Sequence, residues 1–423
     1  MNLKRLQKSI DVMAQFTKGG QGINRLAYTK VEQNARNYII KQLKEEGMTV
    51  RVDAVGNVIA RRDGFVRGLP AVAMGSHIDS VYDAGKYDGV AGVIAALEVI
   101  RSLNEQNIQT LHPIEILVFA CEESSRFGVS TLGSKAVAGL LKIEEVSSLE
   151  DCNGVSIAQA FEENGLDVHR VKEAVLHPDH YKSFIELHVE QGPILEKEQL
   201  DVGIVAAIAG PTRYRIIVKG QASHSGTTPM NYRKDALLGA AEIALEIERA
   251  ASSESSKGTV GTVGVLNIKP GGMNIVPGEA YMDIDIRGID VTSKKVVIDA
   301  LKAVINRVTQ TRGLQISSQL LTSEQPVHMD SATISDLEVI CKEQNIRYKV
   351  MPSGAGHDAM NMAVLCPSGM IFVPSQDGLS HNPNEFTSAE QIGKGTVILQ
   401  EYILKSAIAA SVERNQPNRI YSS

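Results

Sequence analysis

The apolar positions of this chain fall into two rhythms. In the first two hundred or so residues they gather in short continuous runs, Ala71 to Met74, Ile114 to Ala120 and Phe184 to Val189. Each run predicts a buried strand, because alternation is lost when both faces of a strand are covered. Helical periodicity lies between them, at residues 3–16, from Thr29 to Gly47, from about Val90 to Ser102 and from Ser156 to Asn164. Thr29-x-x-Glu32 and Ser156-x-x-Gln159 fit capping boxes, and Gly47 fits a helix stop. Met48 to Arg61 alternates in places around Gly56-Asn57, which predicts two strands.

The rhythm changes near Gly210-Pro211. Arg213 to Lys219 alternates, a long helix is predicted from about Asp235 to Ala251, and strands follow at Thr262–Ile268 and Ala280–Ile286. A helix from about Thr292 to Thr311 and a strand from Leu314 to Leu321 complete a β-α-β-β-α-β order, that of a ferredoxin-like α+β unit. The α/β pattern then resumes with a helix over 331–345, a glycine-rich turn over 353–357, a strand over 370–373 and a helix from about Ser388 to Glu413. The 423 residues are too many for one core. The expected fold class is therefore α/β, with a central mixed sheet in a domain formed by residues 1–210 and 327–423. The ferredoxin-like domain, residues 211–326, is inserted into it.

The strand ends carry the chemistry. The first apolar run leads into Gly75-Ser76-His77-Ile78-Asp79, with Asp88-Gly89 opening the next helix. Later runs end in Cys121-Glu122-Glu123 and in His188-Val189-Glu190, and a loop near the C-terminus reads Ser380-His381-Asn382. His and carboxylate side chains at strand ends facing a helix N-terminus are what a metal site in an open α/β sheet needs. His77, Asp88, Glu123, His188 and His381 can together hold two divalent ions. Asp88 suits the shared position, because a carboxylate offers two oxygens and an imidazole one free nitrogen. Two neighbouring cations acidify a water and polarise a carbonyl. Glu122, beside a ligand, suits the general acid/base, and Asp79 can orient the His77 imidazole. The remaining histidines, His112, His169, His177, His180 and His328, apart from those in glycine-rich or strand-end motifs, read as surface.

Composition narrows the partners. With 49 acidic and 43 basic residues the net charge is −6, which argues against nucleic acid or an anionic membrane. Trp is absent and aromatics are 4%, too few for a base-stacking groove. Four scattered cysteines without a CxxC predict reduced thiols in a cytoplasmic protein. The N-terminal residues lack a signal-peptide core, and no run approaches the roughly 18 apolar residues of a membrane span.

Taken as a set, Gly75-Ser76-His77-Ile78-Asp79-Ser80, Tyr87-Asp88-Gly89, Glu122-Glu123-Ser124-Ser125-Arg126-Phe127, Leu187-His188-Val189-Glu190-Gln191-Gly192-Pro193 and Ser380-His381-Asn382-Pro383 resemble the M20 metallopeptidase superfamily. The likeness is to its branch of N-carbamoyl-L-amino-acid hydrolases, allantoate amidohydrolases and β-ureidopropionases, and it covers nearly the whole chain. His188 selects that branch, since M20 aminopeptidases and deacylases usually carry a carboxylate there.

The resemblance implies that His77 and His188 hold one metal, Glu123 and His381 the other, with Asp88 bridging and Glu122 as acid/base. It implies zinc, manganese, cobalt or nickel, two ions per subunit, and a cis Asp88–Gly89 peptide. The inserted domain is implied to dimerise and to anchor substrate. His224 in Ser-His-Ser-Gly-Thr-Thr-Pro would stabilise the oxyanion from the partner subunit of a homodimer, and Asn274 and Arg287 would hold a carboxylate on domain closure. Gln191, Gly356 and His357 would line the pocket. For Arg287 a plain ion pair with Asp283 or Asp285 is the competing reading. The loops over 81–86 and 124–131 depart from relatives, which leaves the substrate open. The expected function is hydrolysis of the ureido C–N bond of an N-carbamoyl-L-amino acid to the amino acid, ammonia and carbon dioxide. Allantoate hydrolysis is the alternative. Less favoured are an M20 aminopeptidase or N-acyl-amino-acid deacylase activity and a catalytically inactive scaffold.

Overall fold

The continuous apolar runs do form the middle of a sheet, as shown by a computed structural model that describes residues 1–408. In chain order the strands are β1 (Thr49–Val52), β2 (Val58–Arg62), β3 (Ala71–His77), β4 (Ile114–Phe119), β5 (Tyr181–Val189), β6 (Val202–Ile208), β7 (Gly210–Lys219) and β8 (Ser223–His224). They continue with β9 (Val260–Lys269), β10 (Ile275–Val276), β11 (Glu279–Gly288), β12 (Gln315–Ser323), β13 (Val327–His328), β14 (Tyr348–Ser353) and β15 (Ser368–Val373). The described chain divides into one unit of residues 1–205, 329–350 and 357–408 and another of 206–328 with 351–356. Residues 351–356 join the second unit because Ser353 O accepts the Ala209 amide at 2.9 Å and Gly354 O accepts Arg287 Nη1 at 2.8 Å.

In the first unit the strands run in the order β1-β2-β4-β3-β5-β15-β6. β4, β3, β5 and β15 are mutually parallel, and β1, β2 and β6 pair antiparallel at the flanks. From β3 the chain crosses to β4 on one side, while β5 lies on the other side of β3. Such a reversal opens a crevice beyond the carboxyl ends of the strands. The parallel strands are buried along nearly their whole length, which is why their sequences do not alternate.

Helix Val90–Glu105 is buried at every position from Val90 to Leu103, with helix Ala389–Ile408 and the N-terminal helix Leu3–Met13 against it. Its one buried carboxylate, Glu98, is gripped by Arg5 through Nε at 2.8 Å and Nη2 at 2.7 Å. Gly92 lets this helix touch the sheet: a Cβ there would overlap the Leu187 carbonyl oxygen and come within 2.8 Å of Ser76 Cβ. Residues 409–413 of the helix expected to reach Glu413 lie outside the described residues. The strands β6 and β14 were not expected from the pattern.

The second unit has the ferredoxin-like order β12-β7-β11-β9, all antiparallel, with helices Ala236–Ser253 and Val291–Arg312 over one face. β11 shows strict alternation, with Ala280, Met282, Ile284 and Ile286 facing those helices. Asp235 and Asp290 cap the two helices by accepting backbone amides of their first turns. A short pair, β8 with β10, stands apart from the main sheet.

The Gly92 contact is testable. Gly92→Ala is expected to lower unfolding stability by about 1–3 kcal/mol, because backbone cannot retreat as a side chain can. An unchanged denaturant midpoint would refute the close approach.

Candidate metal centre

Four parallel strands deliver the site residues to one edge. His77 is the last residue of β3, Glu122 and Glu123 follow β4, His188 is next to last in β5, and His381 lies in the loop after β15. Asp88 sits at the entry to helix Val90–Glu105, where Gly89 turns the chain with φ +65°. A Cβ on Gly89 would meet the His77 ring at 2.5 Å, so only glycine lets this turn close over the imidazole. The Asp88–Gly89 peptide is not cis, contrary to expectation; the one cis peptide among the described residues is Lys269–Pro270. A non-proline cis bond costs about 3–4 kcal/mol, and the positive φ of Gly89 makes the turn without it.

The Asp88 carboxylate is at the centre. Its Oδ1 lies 3.1 Å from His188 Nε2 and 3.5 Å from His77 Nε2, and its Oδ2 lies 3.3 Å from His381 Nε2. Glu123 Oε1 is 3.4 Å from the same His381 nitrogen. Two donor groups thus share Asp88: His77, Asp88 and His188, and Asp88, Glu123 and His381, with the atoms of each within 4.8 Å of one another. The second nitrogens of the buried imidazoles are committed to backbone carbonyls, His77 Nδ1 to Asp79 O at 3.0 Å and His188 Nδ1 to Val189 O at 2.9 Å. That commitment fixes Nδ1 as a donor, so Nε2, which faces Asp88, is the nitrogen each ring has to offer a cation. Gly89 N–H donates to His188 Nε2 at 3.2 Å. The donor set is hard oxygen plus imidazole and fits divalent ions.

Electrostatics point the same way. Burial works against the Asp88 charge, yet the imidazoles of His188, His381 and His77 outweigh it and hold Asp88 well below the usual carboxylate range. His381 is raised to about 10 by Asp88 and Glu123. Burial lowers and neighbouring carboxylates, Glu122 foremost, more than restore His77, which ends well above its ordinary value. Burial pushes Glu122 well above the carboxylate range; His77 opposes this and Glu123 adds to it. Its Oε2 is 3.7 Å from His77 Nε2.

Asp79 faces His77 and also takes on a second set of partners. The Asp79 carbonyl accepts the His77 Nδ1 proton at 3.0 Å and its carboxylate Oδ1 lies 3.7 Å from the same nitrogen, while the carboxylate also accepts the amides of Glu122 at 3.2 Å and Glu123 at 3.0 Å. It therefore orients the two-glutamate turn, whose preceding residue Cys121 has φ +53°. Gln191 and His381 also lie in the left-handed region, at φ +59° and +53°. Three of the ten non-glycine residues at positive φ among the described residues thus belong to the donor set or adjoin it. Gln191 Nε2 donates to Asp88 Oδ2 at 2.9 Å. His357 is buried, stacked edge-on against His188 at 4.6 Å, and burial holds it neutral, well below the usual histidine range.

The second unit gathers part of the remaining set. His224 on β8 is opposite Ile275 on β10, and Ser225 N–H donates to Asn274 O at 3.0 Å, so His224 and Asn274 are neighbours. Gly226 N–H donates to His224 Nδ1 at 3.0 Å, which leaves the proton on the exposed Nε2. Arg287, on β11, is in the ion pair weighed against substrate binding: Nε and Nη2 both donate to Asp285 Oδ2 and Nη1 to Gly354 O. Asp283 is taken by Arg215. Of the five guanidinium protons two remain for another acceptor. Gly356 is exposed.

Several readings need correction or addition. His112 is buried, not on the surface: its Nδ1 meets Pro70 O at 2.8 Å and its Nε2 lies 3.2 Å from Lys182 Nζ. The amides of Leu111 and His112 are pinned to Ala407 O of the C-terminal helix, a tertiary contact without local signal. His180 is half-buried against Glu115; His169, His177 and His328 are exposed. The loop over 81–86 is held by the N-terminal segment, with Asp83 Oδ1 accepting from Gln21, Gly22 and Asn24. Ser380, Glu385, Glu186 and Ser76 were missed. Glu186 sits under His188, accepting from Ser76 Oγ at 2.8 Å and Ala359 N at 2.9 Å.

Comparison with known proteins agrees with this geometry. The model of peptidase family M20/M25/M40 matches residues 73–405. An N-carbamoyl-L-amino-acid amidohydrolase of Paenarthrobacter aurescens is 39% identical, covering 94% of this chain and 96% of its own. A ureidoglycolate hydrolase of Oryza sativa subsp. japonica is 38% identical, covering 93% and 82%. An allantoate amidohydrolase of Escherichia coli K12 is 34% identical, covering 89% and 91%. Among solved structures, an amidase of the hydantoinase/carbamoylase family from Burkholderia multivorans aligns with a TM-score of 0.91 at 34% identity, over 97% of this chain and 99% of that one. With donor groups of the kind that hold divalent metals and a family match over most of its length, the chain belongs to peptidase family M20/M25/M40.

Proposed function

We propose that the protein is a cytoplasmic, homodimeric amidohydrolase with two divalent ions per subunit, and that it cleaves the ureido C–N bond of an N-carbamoyl-L-amino acid to give the amino acid, ammonia and carbon dioxide. The observation that carries this reading is the Asp88 carboxylate, with one oxygen toward His77 and His188 and the other toward His381. His77, His188 and Asp88 Oδ1 would hold one ion; Asp88 Oδ2, Glu123 and His381 would hold the other. Bound there, divalent ions acidify a water and polarise the ureido carbonyl.

The chain supplies the rest. Glu122 takes the proton of the attacking water and returns it to the leaving nitrogen, a task that suits a buried carboxylate with a raised pKa. Asp79 keeps Glu122 and Glu123 in register through their amides. Gln191 and the neutral His357 line the pocket beside Asp88 and His188. His224, donated in trans within the homodimer, offers Nε2–H to the developing oxyanion. Asn274 and the two spare protons of Arg287 hold the substrate carboxylate, with Gly356 keeping its approach open. The relatives named for ureidoglycolate and allantoate are of comparable identity, so hydrolysis of one of these two ureido acids is the second reading.

Glu122→Gln is expected to cut turnover on the order of 10²–10⁴-fold while bound metal stays at the wild-type level. Near-normal turnover would remove Glu122 from its role.

Ammonia release on an N-carbamoyl-L-amino acid, ureidoglycolate and allantoate, with and without chelator, tests the substrate. Chelator-sensitive release from the first is expected; preference for either of the others would move the protein to the second reading.

Arg287→Ala is expected to raise KM by about tenfold or more, with a smaller effect on kcat, and Lys to restore it only in part. An unchanged KM would leave Arg287 as no more than the partner of Asp285.

A further inference from the structure

We infer that Glu385 is a positioning residue that straps the Asp88 turn to the His381 loop and thereby sets the affinity of the second ion more than that of the first. The inference rests on the two-ion reading above.

Glu385 is buried, and both its oxygens are engaged with segments that carry donor residues. Oε1 accepts the amides of Tyr87 at 3.0 Å and Asp88 at 3.1 Å. Oε2 accepts the Ser380 hydroxyl at 2.8 Å, next to His381. One side chain therefore ties together the backbone of the shared carboxylate and the loop of the third imidazole. Gly85 makes the room, since a Cβ there would collide with Glu385. The neighbouring Phe386 ring meets Tyr87 edge-on at 5.9 Å, fixing the same two segments a second time.

The strap also governs a proton. Ser380 Oγ is 3.2 Å from Asp88 Oδ2 as well as 2.8 Å from Glu385. The hydroxyl has one proton, and the shorter contact directs it to Glu385. Asp88 Oδ2 then keeps a lone pair for the group it shares with Glu123 and His381. The other group shares only Asp88 with this strap: its two imidazoles, His77 and His188, stand on β3 and β5 and are fixed by Asp79 O and Val189 O. Loss of Glu385 should consequently loosen the second ion, which loses both its loop and its shared carboxylate's anchor, more than the first.

The test uses full-length chain stripped of metal and titrated with Zn²⁺ against a chromophoric competitor, with circular dichroism as the fold control. Wild type is expected to bind two ions. Glu385→Ala, and Glu385→Asp, which keeps the charge but is too short to span both loops, are expected to weaken the second ion by about tenfold to a hundredfold and leave the first within threefold. Glu385→Gln keeps the two amide bonds through its oxygen but turns the Ser380 proton toward Asp88 Oδ2, so it is expected to weaken the second ion by about threefold to tenfold, less than the other two variants, and to leave the first within threefold. If the alanine variant does not fold, the aspartate variant decides. Unchanged second-ion affinity in the aspartate and alanine variants overturns the inference, and so does equal weakening of both ions. Fewer than two ions on wild type overturns the two-ion reading itself, before any variant is compared.

Discussion

A buried carboxylate surrounded by three imidazoles is the constraint on which the rest depends. Asp88 is 6% exposed, and an anion so placed is costly unless charge or hydrogen bonds compensate it. His188, His77 and His381 approach it from β5, β3 and the loop after β15, so the position of Asp88 requires all three segments to arrive at one edge. The parallel order β4-β3-β5-β15 is what brings them there. A packed helix with Gly92 against the sheet and Gly89 against His77 then allows Asp88 to enter from above the strand ends.

Around that centre lies more negative charge than the imidazoles can balance. Glu122, Glu123 and Asp79 are buried beside it, and Glu186 and Asp358 lie beneath. Burial raises Glu122, Asp79, Glu186 and Asp358 above their ordinary values, and neighbouring carboxylates add to it at Glu122, Asp79 and Asp358. Divalent cations would relieve that repulsion, which makes metal binding an electrostatic expectation as well as a geometric one. It also accounts for the care with which each oxygen is engaged: Asp79 by two amides, Glu186 by Ser76 and Ala359, Glu385 by two amides and Ser380.

The two units differ in how directly they declare themselves. In the second, β11 alternates and its helices carry their own aspartate caps, so local pattern and fold coincide. In the first, the site depends on segments far apart in the chain. Asp88 and Glu385 are separated by 297 positions, and no periodicity or turn chemistry relates them. The Asp79 carboxylate illustrates the same point: a position two residues after His77 suggested a partner for the imidazole, and its Oδ1 lies 3.7 Å from His77 Nδ1, but the fold also gives it the Glu122 and Glu123 amides, which no local pattern relates to it.

By itself, the sequence determined the strands and helices whose apolar periodicity is strong, the ferredoxin-like insertion, and the residues at strand ends that can bind metal, because these are written in local pattern and residue chemistry. Its likeness to a family assigned roles to those residues. Only the tertiary structure decided that Asp88 turns one oxygen to each donor group, that the Asp88–Gly89 turn is made by a positive φ, that His112 is buried beneath the C-terminal helix, and that Glu385 joins two loops. Each of these is a contact between segments distant in sequence, and the geometry of such a contact exists only once the sheet has set their separation.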